Sequence, residues 1–310
     1  MEYTHKPVLL NECLEGLDIR PGGTYVDGTL GRAGHSREIA RRLTTGRLIA
    51  VDRDRAAIDA APALFGPLMD RVTLVRGNFG DIAAILDRLG VGGVDGMLFD
   101  LGVSSPQLDE AARGFSYLND APLDMRMDQS ASLTARDVVN GWSREELRRV
   151  LWDYGEERYA GPIAAAIVKA REGKPIDTTL ELAELIRSVM PAKARREKQH
   201  PAKRSFQAIR IAVNDELGEV ERLLASALDL LAPGGRIAVI SFHSLEDRLV
   251  KTAFASWTQG CTCPPDFPVC VCGKKPRAKL IGRRPITAGE AELKENPRAR
   301  SAKLRIAEKL

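Results

Sequence analysis

Gly28, Gly31 and Gly34 lie in the run Tyr25-Val26-Asp27-Gly28-Thr29-Leu30-Gly31-Arg32-Ala33-Gly34-His35, and Asp52 closes the run Leu48-Ile49-Ala50-Val51-Asp52 downstream. Glycine lets a backbone turn tightly and approach a ligand closely, and an acid at the end of the next strand accepts both hydroxyls of a ribose. Together they predict a ligand that carries a nucleoside. The spacing is G-x-x-G-x-x-G, not the G-x-G-x-x-G that cradles a dinucleotide pyrophosphate at a helix N-terminus. S-adenosyl-L-methionine has no phosphate; its ammonium suits Asp27 and its carboxylate suits the N–H groups of the turn. The segment favours this methyl donor over a nicotinamide cofactor, with a glycine turn that holds no ligand as the alternative.

A second constellation is Leu98-Phe99-Asp100-Leu101-Gly102-Val103-Ser104-Ser105-Pro106-Gln107. An exocyclic amine on a nucleobase is a poor nucleophile because its lone pair is delocalised into the ring. A carboxylate or carbonyl that accepts its protons localises that pair and aims it at a sulfonium methyl. The leaving group is a neutral thioether, so the reaction needs no metal. Asp100 is the first candidate for this role, with Ser104 and Ser105 in support. The alternative is that Asp100 and Ser104 only satisfy backbone donors of the turn.

These residues need a scaffold that brings strand ends together. Short apolar runs at 24–27, 47–52, 72–75, 96–100 and 236–241 end in polar residues or glycine, as buried parallel strands do. Helical spacing at 37–43, 55–64 and 81–89 alternates with them, which predicts a doubly wound α/β sheet. A longer amphipathic helix at 215–231 is expected to stop at Pro233-Gly234-Gly235. Residues 245–257 predict another helix, and 279–281 with 303–307 a final antiparallel hairpin at the sheet edge. That hairpin favours a seven-stranded, mostly parallel Rossmann-like sheet, the class I S-adenosylmethionine-dependent methyltransferase fold.

Residues 106–207 break the alternation. They hold capping-box starts at Ser143-Arg144-Glu145-Glu146 and Thr178-Thr179-Leu180-Glu181 and no convincing strand. The expected organisation is a first part of the core at 1–105, a helical insertion at 106–207 for substrate recognition, and a second part at 208–310 with a basic tail. An insertion between strands four and five belongs at the carboxyl edge of the sheet, where ligands bind in open α/β folds.

The net charge of +4 is modest, but the cations are clustered. Lys193, Arg195, Arg196, Lys198, Lys203 and Arg204 form one group, Lys274, Lys275, Arg277, Lys279, Arg283 and Arg284 a second, and Lys294, Arg298, Arg300, Lys303 and Arg305 a third. Three such runs favour a polyanionic partner over a merely solvated surface. A hydrophobic fraction of 44% without a bilayer-length apolar run excludes a membrane helix, and the first residues lack the pattern of a signal peptide. The expected location is the cytoplasm. In that reducing compartment the pairs Cys261-Thr262-Cys263 and Cys270-Val271-Cys272 are not expected to form disulfides. C-x-C spacing is less telling of zinc than C-x-x-C, so the expectation is thiols in an exposed loop and no metal, with structural zinc as the alternative. Cys13 reads as a core residue.

The blocks His5-Lys6-Pro7-Val8-Leu9-Leu10-Asn11-Glu12, 27–36, Phe99-Asp100-Leu101-Gly102-Val103-Ser104-Ser105, Leu123-Asp124-Met125-Arg126-Met127-Asp128, Tyr154-Gly155-Glu156-Glu157 and Ser241-Phe242-His243-Ser244-Leu245-Glu246-Asp247-Arg248 occur together in this chain. So do His200-Pro201-Ala202, Phe206-Gln207-Ala208 and the terminal run 296–305. The combination spans nearly the whole chain and resembles the ribosomal RNA small subunit methyltransferase H family, also called MraW.

The resemblance implies a bacterial enzyme that transfers a methyl group from S-adenosyl-L-methionine to the N4 amine of a decoding-centre cytosine in 16S ribosomal RNA. It implies donor contacts at Ala33, Gly34, His35, Asp52, Phe79, Asp100 and Gln107. Ala33 departs from the glycine common among relatives, so backbone approach there has to tolerate a Cβ. His243 is a lesser candidate to face the RNA. A DNA amino-methyltransferase or a non-enzymatic ribosome-assembly factor would share the cleft or the basic runs. The former generally carries a Pro-Pro-aromatic turn where this chain has Ser104-Ser105-Pro106-Gln107, and the latter would not need Asp52, Asp100 and the glycine loop together. Monomer and homodimer both stay open.

Overall fold

Strand β2 (Arg47–Asp52) shows how the main sheet is made. Ile49 and Val51 join one apolar cluster, while Leu48 and Ala50 join another. Side chains alternate across a strand, so a continuous apolar run buries both faces and requires helices on both sides. Strands β1 (Thr24–Asp27) and β4 (Val94–Asp100) alternate in the same way: Val26, Met97 and Phe99 join one cluster, Tyr25 and Leu98 the other. This computed structural model describes residues 7–197, 199–264, 269 and 271–310.

With β3 (Val72–Arg76), β5 (Leu231–Ser241), β6 (Ala278–Leu280) and β7 (Lys303–Lys309), the sheet has seven strands in the order β3-β2-β1-β4-β5-β7-β6. The first five run parallel, and β7 is antiparallel to both β5 and β6. This is the class I S-adenosylmethionine-dependent methyltransferase arrangement. The order reverses between β1 and β4, so the helices that follow them leave for opposite faces and a crevice opens at the strands' carboxyl ends.

Several expected boundaries moved, two of them for a clear reason. Strand β5 begins at Leu231 rather than 236, because Leu231 pairs with Val94 before the register shifts. The helix expected from 215 begins at Glu216, because Asp215 adopts a left-handed φ of 49° and ends the preceding helix, Lys203–Asn214.

The chain divides into two units, Met1–Gly102 with Leu217–Leu310, and Val103–Glu216. The first holds the sheet. The second is helical and packs Leu147, Val150, Ile163, Ile167, Leu182, Ile186, Phe206 and Ile209 in its own core. Its end lies at 216 rather than 207, because helix Lys203–Asn214 places Phe206, Ile209 and Val213 in that core. Both anticipated capping boxes form: Ser143 N–H donates to Glu146 Oε2 at 2.8 Å, and Thr178 N–H to Glu181 Oε2 at 3.2 Å. Asn214 also closes this unit, accepting from Met127 N–H and donating to the Met125 carbonyl, each at 2.7 Å. Among the described residues no helix is long and apolar enough to cross a membrane.

Candidate active site

The carboxyl ends of β1, β2 and β4 each finish on an aspartate: Asp27, Asp52 and Asp100. Asp27 is 1% exposed. Its Oδ1 accepts from Thr29 N–H at 3.0 Å and its Oδ2 from Ser36 Oγ at 2.6 Å. It braces the loop from within through Thr29 and Ser36. Thr29 carries the brace across the crevice, because its Oγ1 also accepts Asp100 N–H at 2.7 Å.

Of the three glycines, Gly31 is the one whose backbone needs the residue type, with φ at 49°. Its N–H donates to Asp52 Oδ2 at 2.8 Å, and Asp54 N–H donates to Asp52 Oδ1 at the same distance. Each oxygen of Asp52 thus spends one lone pair on the backbone and keeps another for a ribose hydroxyl. Burial pushes the Asp52 carboxyl up to about 6, against the opposing pull of the Asp54 and Gly31 N–H groups. Gly28 and Gly34 have steric reasons. A Cβ at Gly28 would stand 2.2 Å from the Phe99 ring, and one at Gly34 would stand 2.4 Å from Pro7 Cγ. Their small size serves packing inside the protein as well as any ligand.

Ala33 takes the left-handed conformation at φ 57°, fully buried, at the start of helix Gly34–Arg42. Its N–H donates to the Leu30 carbonyl at 2.7 Å, closing the loop. The Cβ is accommodated by the apolar cluster around it. A non-glycine residue held there costs about 1–2 kcal/mol, which marks the loop as over-determined by its surroundings. His35 follows, 6% exposed, and its Nε2 donates to the Val8 carbonyl at 2.9 Å.

Asp100 is a half-buried carboxylate of the crevice. Its Oδ2 lies 3.8 Å from His35 Nδ1, and its Oδ1 is buried with no hydrogen-bond partner. Burial first, then the charges of Asp27 and Glu246, push its carboxyl up to about 8. A carboxylate oxygen without a partner beside two further acids fits a cationic or proton-donating ligand. The sulfonium, the ammonium and a base amine are such groups. S-adenosyl-L-methionine therefore fits this unit on two observations: the unsatisfied Asp100 Oδ1 and the lone pairs of Asp52.

Phe79 opens a short 3₁₀ turn, Phe79–Asp81, with its ring centroid 5.9 Å from that of Phe99. The turn is held from behind by Glu219, a residue that sequence reasoning missed. Glu219 accepts from Asn78 Nδ2 and, at 3.2 Å, from Gly80 N–H, and pairs with Arg222 at 2.7 Å. It is 5% exposed, and burial raises its carboxyl. Nothing local in a helix sequence of mixed charge distinguishes this acid from its neighbours; only folding back across 139 positions does.

Glu246 was likewise missed. It is 1% exposed and accepts from Phe242 N–H at 2.8 Å. With His243 it forms the capping box of helix Ser244–Thr258. His243 is thus engaged in ending a strand and starting a helix.

Beyond Gly102, in the helical unit, Gln107 Oε1 accepts Ser104 N–H at 2.9 Å at the start of helix Ser105–Asp109. Ser104 and Gln107 satisfy one another as a helix cap there. The Ser105 side chain lies outside the described part of the structure, as do Lys198 and Cys270.

The basic runs are not equivalent. Lys193, Arg195, Arg196, Lys203 and Arg204 are exposed, as are Lys274, Lys275, Arg283 and Arg284. Arg277 pairs with Asp229, and Lys279 with Glu308 at 2.7 Å. In the terminal run, Lys303 and Arg305 bind the two oxygens of Asp247 at 3.0 and 2.7 Å, so they hold β7 to the core rather than present charge.

A solved S-adenosylmethionine-dependent O-methyltransferase from Thermotoga maritima matches all of this chain and 68% of that chain, with a TM-score of 0.42 and 10% identity. The protein of Symbiobacterium thermophilum known as ribosomal RNA small subunit methyltransferase H is 58% identical over 311 residues, covering 100% of this chain and 98% of its own. The protein of the same name from a Paenibacillus species is 59% identical over 315 residues, covering 99% of this chain and 100% of its own. The family model described as the MraW methylase family matches residues 2–310, and the chain belongs to that family of S-adenosyl-L-methionine-dependent methyltransferases.

Proposed function

We propose that this enzyme methylates the N4 amine of a decoding-centre cytosine in the 16S RNA of the small ribosomal subunit. The observation that carries the reading is the unsatisfied, raised carboxylate of Asp100 at the end of β4, on the same crevice as the ribose-competent Asp52. The names carried by the relatives support ribosomal RNA of the small subunit as the substrate class.

S-adenosyl-L-methionine, when bound, supplies an electrophilic methyl group on a sulfonium whose departure leaves a neutral thioether. Asp52 receives the ribose hydroxyls on the lone pairs its backbone partners leave open, and Phe79 offers a ring face to the adenine. The backbone of Ala33, Gly34 and His35 meets the methionyl end. Asp100 accepts a hydrogen bond from the target amine, which restores nucleophilicity to the nitrogen and orients it for in-line attack. Methylation would require the amine nitrogen to shed one proton, and Asp100, with its proton affinity raised toward neutrality, would accept it. Ser104 and Ser105 as supports for the amine, and Gln107 as a donor contact, belong to the same proposal. The helical unit, with its exposed Lys193, Arg195, Arg196, Lys203 and Arg204, is proposed to grip the RNA.

Labelled donor offered in parallel to small subunits, free 16S RNA and duplex DNA tests the proposal, followed by mapping of the modified base. Label on N4 of a single cytosine of the small-subunit RNA is expected. Label on DNA alone, or on another atom of the RNA, would overturn the assignment, and no transfer to any substrate would favour an assembly factor.

A further inference from the structure

The loop between helix Ser244–Thr258 and β6 gathers three cysteines that methyl transfer does not use. Cys261, Cys263 and Cys272 bring their Sγ atoms within 4.8 Å of one another. Cys261 and Cys272 stand 3.7 Å apart. A disulfide would bring that pair to about 2.05 Å. Two sulfurs bound to one tetrahedral zinc, each at about 2.3 Å, stand roughly 3.8 Å apart. The observed separation, that of a thiol–thiol hydrogen bond, also matches two ligands on one ion and is too long for a disulfide.

The backbone is arranged for anionic sulfur. Cys263 N–H donates to Cys261 Sγ at 3.4 Å, and Thr262 N–H donates to Cys272 Sγ at 3.5 Å. The N–H groups of Val271 and Cys272 face the Cys263 sulfur. Every one of the three sulfurs therefore meets at least one amide, the outer-shell support that metal-bound thiolates need.

The loop lacks the usual means of holding such a shape. Its ends are fastened by Arg277 N–H donating to the Trp257 carbonyl at 2.8 Å, and by Lys274 Nζ to Gln259 Oε1 at 3.4 Å. Between them, the described residues form no helix or strand, and Val269 and Val271 are 70% and 73% exposed. A segment without its own apolar core is commonly stabilised by a metal.

We propose that Cys261, Cys263 and Cys272 bind a structural zinc ion that fixes this loop and the adjoining cations Lys274 and Lys275. Thiolates select zinc over the hard ions magnesium and calcium. A fourth, unassigned ligand completes the tetrahedron; Cys270 lies outside the described residues. The site is independent of the crevice at the strand ends.

The test uses the full chain purified under reducing conditions, with zinc measured by mass spectrometry before and after dialysis against zinc and gel filtration. Stoichiometric zinc is expected, lost in the C263S and C272S variants. Cobalt in its place should show the thiolate charge-transfer and ligand-field bands of a tetrahedral sulfur site. Zinc loss should speed proteolytic cutting within the loop while donor affinity, read by calorimetry, stays unchanged. Substoichiometric zinc after reconstitution, or a C261S/C263S/C272S variant that keeps as much zinc as the parent, would overturn the proposal.

Discussion

His35 Nδ1 stands 3.8 Å from Asp100 Oδ2 while the opposite ring nitrogen donates to the Val8 carbonyl, so one imidazole ties the amino-terminal segment to the reactive carboxylate. Asp27, Glu246 and the Cys13 thiol complete the titratable surroundings of Asp100. Burial and the two acids leave Asp100 in a field that favours its protonated form. Donor binding introduces the compensating positive charge, which couples occupancy of the site to ionisation of the group that orients the amine.

Asp100 should therefore make both stability and turnover depend on pH. Its carboxyl rises on folding from 3.8 to about 8. The folded chain keeps a proton that the unfolded chain has already lost, so this contribution is fully present below pH about 4 and is lost as pH climbs through about 8. Solvent reaches 27% of the side chain, which screens the cost. Asp100→Asn should thus gain roughly 1–2 kcal/mol over the parent at pH about 8.5 and little at pH about 5, read by chemical denaturation. Its turnover should fall by roughly 10²-fold or more. Normal turnover with normal donor affinity would remove Asp100 from both roles.

Asp52 should control donor affinity. Asp52→Ala removes the ribose acceptor and strands the Gly31 N–H, and the expected loss is roughly 2–4 kcal/mol of donor binding by calorimetry. Because the carboxyl is held near 6, the parent's donor affinity should weaken as pH falls through that value. An affinity flat from pH about 5 to about 8 would show that Asp52 does not meet the ribose as an anion.

At position 33 the conformation, more than the residue's chemistry, is selected. Ala33→Val places a β-branched residue at φ 57° in a fully buried site and should cost roughly 2–3 kcal/mol of stability, with weaker donor binding. Ala33→Gly relieves strain but loosens the unfolded chain, so its change should stay within about 1 kcal/mol. Equal thermal shifts for the two variants would contradict the strain argument.

Glu219 should act through Phe79. Removing it in Glu219→Ala frees Asn78 and Gly80 from their shared acceptor, so the donor KM should rise roughly tenfold with kcat nearly kept. Phe79→Ala should give the same split, with a loss of stability from the ring's packing against Phe99. A drop confined to kcat would place this turn nearer the transferring methyl than the adenine.

The basic runs should separate by experiment. Lys274→Glu with Lys275→Glu should raise the RNA KM and flatten its salt dependence, leaving donor affinity and melting temperature nearly unchanged. Arg305→Glu strikes the Asp247 pair instead and should lower stability by roughly 1–3 kcal/mol. The opposite pattern would mean that the terminal run, not the loop, faces the polyanion.

The seven-stranded sheet, its crevice and the two capping boxes could be read in advance because each rests on local patterning: apolar runs of strand length, glycine at a turn, Ser or Thr three residues before Glu. Asp52 and Asp100 were visible for the same reason, as acids ending such runs. The sequence also signalled clustered cations and paired cysteines. It could not say which cations are spent on Asp247 and Glu308, since that depends on β7 inserting between β5 and β6. Nor could it assign Asp27 to bracing the loop, Glu219 to the Phe79 turn or three sulfurs to one point in space. Local propensity decides where elements begin and end. Partners far apart in the chain meet only when the whole sheet has closed, and the tertiary fold alone decides which buried charges are satisfied and which, like Asp100, are left ready for chemistry.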